Sequence, residues 1–302
     1  MTPSRMMGAL LVVMGTLAVD GLAAKPQQAQ VAPASAQSPR GDVRAAQAYG
    51  RGMDLLEDGK VLEARGELST AVLSGRLSAQ QECAAVKALT RLAETTLLGR
   101  QVTEGDPYAF SYRFQSGQTL TEAIRTLGLG IPAQALADLN GADPRSIQPG
   151  QAWKMLRGPV HAVISKRTYA MDLYLQRDGL PPAFLKRVRV GLGKQDRTPA
   201  GNFRVSRKAV RPSWTPPPSS GRTRTIYYGQ KGYPFGGKGL WLGLQGDDEK
   251  SRGKTGYALH STNDQSSIGK ARSLGCIRIG DADIDLVYAL LAEGQSKVQI
   301  RP

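Results

Sequence analysis

The C-terminal half of the chain carries short runs in which apolar and polar positions alternate, separated by glycine, proline and charged residues. Alternation with a period of two predicts half-buried β-strands. One helical pattern follows near the end, from Asp281 to Leu291, with Asp281 or Asp283 placed to cap it. This half is therefore expected to be mainly β. The predicted strands are 160–165, 170–176, 184–190, 201–206, 240–244, 256–259 and 296–300.

Between residues 42 and 100 the apolar residues recur at helical spacing, with a break at Gly59. The spacing predicts one helix on each side of that glycine and a third from Ser78 to Leu98, which contains Cys83. The stretch resembles one tetratricopeptide unit, but a stable array of such units needs about three repeats. A small helical hairpin that packs on its neighbour is the favoured interpretation.

A strand–helix–helix–strand order is predicted for residues 108–157. Thr119 is placed to cap the first helix, Asn140-Gly141 ends the second, and Ile147–Gln151 forms a turn before the last strand. This order is similar to a LysM module, although Gln118 stands where that family usually has Asp. The resemblance implies binding to the glycan strands of peptidoglycan. The alternative is a degenerate module that serves only as a spacer.

The N-terminal residues 1–24 have the layout of a secretory signal peptide, with Arg5 before an apolar run from Met7 to Val19. The run is shorter than the ~20 residues of an ordinary transmembrane helix. An uncleaved anchor is the alternative, and it would be the chain's one contact with a membrane. Residues 25–41 are rich in Pro, Ala, Gln and Ser, which predicts a disordered linker. Export to the periplasm or cell envelope is therefore expected.

The chain is strongly basic, with 40 Lys and Arg against 25 Asp and Glu and a formal charge of +15. Such a balance predicts attraction to a polyanion. An export signal argues against nucleic acid, and the sequence contains no nucleic-acid-binding motif. A carboxylate-rich cell wall is the better partner.

Candidate chemistry is concentrated near the end of the chain, which holds one of the two histidines, His260, and one of the two cysteines, Cys276. A thiol needs a neighbouring base or positive charge to become a strong nucleophile. His260 could supply the base, and Arg272 and Arg278 flank the cysteine. Gly275 allows a tight turn in which backbone N–H groups could face an oxyanion. Together these residues favour an acyl-transfer site.

The segment from His260 to Arg278 resembles the signature of the YkuD-like L,D-transpeptidase catalytic domain. Thr198–Phe203 is similar to the family's Thr-Pro-x-Gly-x-Phe turn, and Tyr233–Gly236 to its Asn-Pro-x-Gly segment. One position departs from the family, because Leu274 stands where a second histidine is usual.

The resemblance spans about residues 159–302, so a multidomain chain is expected. It would comprise the TPR-like helical region at 42–100, the LysM-like βααβ module at 108–157 and a mainly-β catalytic domain. Within that domain, the long loop from Ser206 to Tyr233 is interpreted as a lid or as a wall of the substrate cleft. Its aromatic residues would contact substrate or anchor the loop; they are Trp214, Tyr227 and Tyr228.

The resemblance implies a secreted enzyme that acts on the stem peptides of peptidoglycan. Cys276 would attack the peptide carbonyl and form a thioester, while His260 would activate the thiol and protonate the leaving amine. Ser261, through its side chain or its backbone, would orient the imidazole. The amides of Gly275 and Cys276 would stabilise the oxyanion.

Three further residues are expected at the substrate. Arg278 either binds a substrate carboxylate or braces the loop, and Ser273 and Tyr257 are candidate substrate contacts. No metal or cofactor is implied, since two His and two Cys scattered along the chain do not form a zinc set. Carbapenem-type β-lactams are the expected inhibitors.

Two other functions remain open at this stage. One is an L,D-carboxypeptidase, in which water replaces the acceptor amine, and the other is a non-catalytic wall-binding protein. A disulfide between Cys83 and Cys276 would consume the nucleophile, so both are expected to be thiols.

Overall fold

Three helices open the computed structural model, which describes residues 39–217, 221 and 223–302. They are α1 (Pro39–Glu57), α2 (Val61–Ser74) and α3 (Ala79–Ala93). Helix α2 ends at Gly75 in the left-handed conformation, and Ser78 caps α3 in a capping box with Gln81. The helix predicted for 78–98 is thus α3 continued by a π-helical turn, Glu94–Leu98.

The predicted signal peptide and most of the predicted linker lie outside the described residues. Helix α1 begins at Pro39, within the stretch expected to be linker. In the described part of the chain, no helix is long and apolar enough to cross a membrane.

A small two-stranded unit follows the helices. Strand β1 (Ala109–Arg113) pairs antiparallel with β2 (Ala152–Leu156), and helices α4 (Leu120–Leu127) and α5 (Ala133–Asn140) lie between them in the chain. Thr119 caps α4 as predicted, because its hydroxyl accepts the Glu122 N–H while the Glu122 carboxylate accepts the Thr119 N–H. The order βααβ therefore agrees with the sequence pattern.

The remaining chain forms a nine-stranded sheet, whose strands are β3 (Val160–Ser165), β4 (Ala170–Leu175), β5 (Ala183–Gly193), β6 (Gly201–Val210), β7 (Leu240–Gly246), β8 (Tyr257–Ser261), β9 (Ala271–Ser273), β10 (Ile277–Ile279) and β11 (Lys297–Arg301). Their order in the sheet is β10-β8-β7-β6-β11-β3-β4-β5-β9. Strand β10 pairs with both β8 and β5, so the sheet closes on itself as a barrel.

The strands predicted by alternation are present, with their ends moved by a few residues. Strands β9 and β10 were not predicted, since three residues are too few to show a period. Strand β6 runs on to Val210, so the long loop begins later than expected. The helix predicted from Asp281 is the shorter α6 (Ile284–Leu290), and Asp283 at its start makes no capping hydrogen bond.

The helices pack on the barrel and also make a charged contact with the segment that precedes β1. Phe184 of β5 is buried in the helical cluster, and its N–H donates to Ser69 Oγ at 3.0 Å. Arg65 makes a two-pronged bond to Asp106 at 2.7 and 2.8 Å, with both side chains almost fully buried. The described residues from Pro39 to Pro302 form one compact unit.

Candidate active site

The short strands β8 and β10 lie side by side and parallel, with Arg278 opposite His260 and Ile277 opposite Leu259. Leu259 and Ile277 belong to the buried barrel core. Since side chains alternate between the two faces of a strand, His260 and Arg278 lie on the other face. Cys276 directly precedes β10, so the pairing places the predicted base beside the segment that carries the predicted nucleophile.

The imidazole of His260 is held in one tautomer. Its Nδ1 lies 2.6 Å from the Ser261 carbonyl oxygen, and a carbonyl can only accept, so Nδ1 carries the proton and Nε2 has a free lone pair. The side chain is buried, and burial lowers its pKa to about 4, although the Ser261 bond works in the opposite direction. At neutral pH His260 is therefore an uncharged proton acceptor.

Ser261 serves this arrangement through its backbone. Its side-chain hydroxyl is used elsewhere, because Oγ donates to the Phe235 carbonyl and accepts the Leu240 N–H at 3.0 Å. Of the two ways in which the sequence suggested that Ser261 could orient the imidazole, the structure contains the contact from the backbone carbonyl.

Cys276 is a free, half-buried thiol. Its Sγ donates to the Gly256 carbonyl at 3.6 Å. Burial raises the pKa of this thiol, partly opposed by the positive charge of Arg278. The resting group is therefore SH rather than thiolate, and a base must remove the proton for attack to occur. Cys83, the other cysteine, is also free and is exposed on α3.

The turn before Cys276 needs glycine. Gly275 has φ +140°, and a Cβ there would lie 2.9 Å from Tyr257 Cε1. Inside the turn, Ser273 Oγ accepts the Gly275 N–H at 3.0 Å and donates to the Cys276 carbonyl at 2.6 Å. Ser273 is buried and its hydroxyl is committed to these bonds, which argues against the expected contact with substrate.

The same bonds change the expectation for the oxyanion donors. The Gly275 N–H is already bonded to Ser273, whereas the Cys276 N–H has no hydrogen-bond partner among the described residues. Only the second amide is thus free to meet an incoming oxyanion without a prior rearrangement of the turn.

Thr198 holds the turn from outside, a contact that sequence reasoning missed. Its hydroxyl donates to the Gly275 carbonyl at 2.8 Å and accepts the Gly193 N–H at 2.8 Å. The Thr-Pro-x-Gly-x-Phe motif singled out this residue but gave no indication of its partner. The half-buried ring of Tyr257 also lies against Gly275.

Arg278 makes an ion pair with Asp264 at 3.3 Å. Asp264 belongs to the loop that follows β8, so the contact links β10 to that loop. Of the two alternatives for Arg278, this contact matches bracing of the loop, while the guanidinium keeps part of its surface exposed. Its charge also acts on both His260 and Cys276, lowering the pKa of each.

A row of aromatic rings covers the imidazole. Phe235 packs edge-on against His260 with 4.8 Å between ring centres, Tyr233 packs against Phe235 at 5.3 Å, and Tyr228 against Tyr233 at 5.6 Å. Tyr228 Oη also donates to the Gly237 carbonyl at 2.9 Å. Tyr228 thus anchors the long loop.

The other two aromatic residues of that loop differ from Tyr228. Trp214 forms an isolated antiparallel bridge with Ile226, which ties two parts of the loop together, and Tyr227 is exposed. Of the three predicted aromatic residues, Tyr227 has the surface most available to a ligand.

Leu274, at the position that departs from the family pattern, is 41% exposed. The side chain therefore points outward rather than packing beside the thiol. Within the described residues, no group of three or more His, Cys, Asp or Glu side chains is placed to hold a metal ion.

Comparison with known proteins identifies the family of this chain. Residues 159–300 match the family described as YkuD, L,D-transpeptidase catalytic domain. The chain is also 30% identical over 199 residues to L,D-transpeptidase YkuD of Bacillus licheniformis, an overlap of 63% of this chain and 98% of the relative. The chain belongs to the YkuD family of L,D-transpeptidases.

The chain is also similar to other L,D-transpeptidases. L,D-transpeptidase YqjB of Bacillus subtilis is 29% identical over 142 residues, which cover 46% of this chain and 70% of that protein. The solved structure of an L,D-transpeptidase from Mycobacterium smegmatis matches at 16% identity and a TM-score of 0.35. That match covers 51% of this chain and 64% of the solved one, less than two thirds of its length.

The arrangement of this YkuD-family site can carry out nucleophilic acyl transfer. A neutral imidazole with a free Nε2 can accept a thiol proton and return it to a leaving amine. A buried thiol that is protonated at rest needs such a base to remove its proton as it attacks. One unpaired backbone N–H at the nucleophile can donate to the developing oxyanion.

Proposed function

We propose that this protein is a cysteine L,D-transpeptidase of peptidoglycan. Cys276 Sγ attacks the carbonyl that joins the diamino acid of a stem tetrapeptide to D-alanine, and its proton passes to His260 Nε2. The C–N bond then breaks, the proton goes to the leaving amine, and D-alanine departs from a thioester. The amine of a second stem displaces the thiol, forms the new amide and restores the Cys276 SH.

The fixed tautomer of His260 is the observation that carries this proposal. The Ser261 carbonyl takes the Nδ1 proton, so the lone pair needed for base catalysis is on Nε2. A buried histidine with both nitrogens engaged could not act in this way. In the family to which the chain belongs, this pairing of imidazole and thiol serves an acyltransferase.

The developing oxyanion would meet the Cys276 N–H first. The Gly275 N–H would join it only if the Ser273 hydroxyl moves away. Arg278, which already braces the loop through Asp264, would keep the thiolate stabilised by its charge. No metal or cofactor takes part in these steps.

Residues 108–157 are proposed to act as a LysM-like glycan-binding module. The βααβ order and the short turns at its strand ends support this assignment. A matching test is sedimentation of the full-length protein with insoluble peptidoglycan in competition with soluble N-acetylglucosamine oligomers. Failure of the oligomers to compete would favour a spacer role.

Export to the periplasm is proposed from the pattern of residues 1–24. Fusion of this segment to a reporter that is active only outside the cytoplasm tests it. A silent reporter would argue for a different compartment.

The decisive experiment for the reaction uses purified protein and tetrapeptide muropeptides, with the products identified by mass. Cross-linked dimers with release of D-alanine are expected, and tripeptides without dimers would instead indicate an L,D-carboxypeptidase. Cys276→Ala should abolish both product formation and acylation by a carbapenem. Cys83→Ala is the matched control, and it should leave both unchanged because Cys83 lies on α3 in the helical region.

A further inference from the structure

An open groove of about 700 Å³ lies beside residues that contact the turn before Cys276. Four basic side chains and one acidic side chain line it, contributed by separate parts of the chain. They are Lys166, Arg167, Arg197, Lys254 and Asp196.

The groove reaches the turn that carries Cys276. Thr198 and Tyr257 are both in its wall. Thr198 donates to the Gly275 carbonyl, and Tyr257 follows Gly256, whose carbonyl accepts the Cys276 thiol. A peptide lying in the groove would therefore contact two residues that touch the turn before Cys276.

The charges of the groove are unequal. Lys166 pairs with Asp196, which cancels one cation. In the part of the chain that the structure describes, Arg167, Arg197 and Lys254 have no salt-bridge partner. Pro302, the last residue of the sequence, also lines the groove and adds one carboxylate. The cations still outnumber the anions around this concave surface, and the excess positive charge attracts an anion.

The walls of the groove are fixed before any ligand arrives. On one side, the Asp248 carboxylate accepts the Asn202 N–H at 2.9 Å and the Ser251 N–H at 2.8 Å, which holds the loop leading to Lys254. On the other side, Gln195 and Asp196 have φ of 51° and 59°. Two successive residues in the left-handed region form a sharp, constrained turn directly before Arg197.

We propose that this groove binds the carboxylates of the stem peptide while Cys276 reacts with it. The inference rests on the proposed function, because the ligand class is taken from it. A peptidoglycan stem carries several carboxylates along a short flexible chain, and a preformed row of cations reduces the cost of ordering such a chain. The groove thus recognises the charge of the substrate, whereas the groups that react, the Cys276 thiol and the His260 imidazole, are uncharged before the reaction.

The test measures binding of a synthetic stem tetrapeptide to the full-length Cys276→Ala protein by calorimetry. The same peptide with its carboxylates amidated is the second ligand. Each of Arg167→Gln, Arg197→Gln and Lys254→Gln should weaken binding of the free acid about threefold, and the triple variant about tenfold or more. Binding should weaken with rising salt in the parent and lose most of that dependence in the triple variant.

The matched control removes three exposed cations from the helical region, as Arg44→Gln, Arg76→Gln and Lys87→Gln combined. It lowers the net charge equally and should leave affinity within about twofold. Equal affinity for the free and amidated peptides would overturn the inference, as would equal losses in the two triple variants. Stronger binding of polyglycerol phosphate than of the peptide at this groove would also overturn it.

The outcome separates this inference from the proposed function. Carboxylate-dependent binding without turnover by the wild-type protein would refute the reaction and leave the groove assignment standing. Turnover of tetrapeptide, with equal affinity for the free-acid and amidated peptides, would support the reaction and refute the groove assignment.

Discussion

The barrel buries two histidines at different places in its sheet, and they differ in one hydrogen bond. His161 on β3 and His260 on β8 are 8% and 4% exposed, and burial lowers the pKa of each to about 4. His161 Nδ1 accepts the Lys297 N–H at 3.0 Å, whereas His260 Nδ1 donates to the Ser261 carbonyl at 2.6 Å. The two rings are therefore opposite tautomers.

That difference shows that burial and a shifted pKa do not by themselves mark a catalytic base. In His161 the acceptor nitrogen is used to hold β11, so the ring is a structural element. In His260 the carbonyl partner leaves the acceptor nitrogen available. The identity of the backbone group beside Nδ1 decides whether a neutral imidazole can take a proton.

The largest expected effect comes from the matched substitutions His260→Gln and His161→Gln. Loss of the base in the first should lower acylation by tetrapeptide about 10²-fold or more. The second keeps a side-chain oxygen that can accept the Lys297 N–H, so acylation should stay within about threefold. Single-turnover acylation at neutral pH measures both. Similar acylation rates for the two variants would contradict the different roles assigned to His260 and His161.

The pH dependence of acylation should reflect the low pKa of His260. Above about pH 4 the imidazole is neutral and can act; below it the ring is protonated, and the rate should fall about tenfold per pH unit. Initial rates after brief exposure, with a return to neutral pH as the control for unfolding, measure this. A midpoint near 6.5 would mean that water reaches the ring.

Stability should depend on pH through both rings. Each histidine has a folded-state pKa of about 4 and an ordinary value of 6.5, so the unfolded chain binds protons first as the pH falls. The free energy of unfolding is then highest above pH 6.5 and declines towards pH 4, by roughly 1–3 kcal/mol for each ring. Urea unfolding at several pH values should show a smaller decline in His161→Gln, and an equal decline would contradict the assignment.

The smallest effect is expected for Leu274→His. The substituted side chain is exposed, so stability should change by no more than about 0.5 kcal/mol. In the proposed mechanism acid–base work falls to His260 alone, so the acylation rate should change less than tenfold. An increase of several orders of magnitude in acylation would mean that one imidazole is insufficient here, and that the wild-type domain is a weakened enzyme.

Most strands of the barrel were predictable because they are long enough to show alternation, and the N-cap at Thr119 was predictable from its residue type before a helical pattern. Closure of the sheet into a barrel was not predicted. Strands β9 and β10 were not predictable, since their pairing depends on partners far along the chain. Ser273 looked like a substrate contact because sequence cannot show that its hydroxyl is used within the turn. The tautomer of His260 depends on where the Ser261 carbonyl points, which no residue pattern encodes.

The three-residue strand β10 has a mechanical consequence. It is the seam at which the barrel closes, bonded to β8 on one side and to β5 on the other, and Cys276 is attached to its first residue. Opening of this seam would separate the proposed nucleophile from the proposed base while leaving most of the sheet paired. The proposed acylation activity therefore depends on closure of the barrel. In a denaturation experiment this activity should be lost at lower urea than the β-sheet signal.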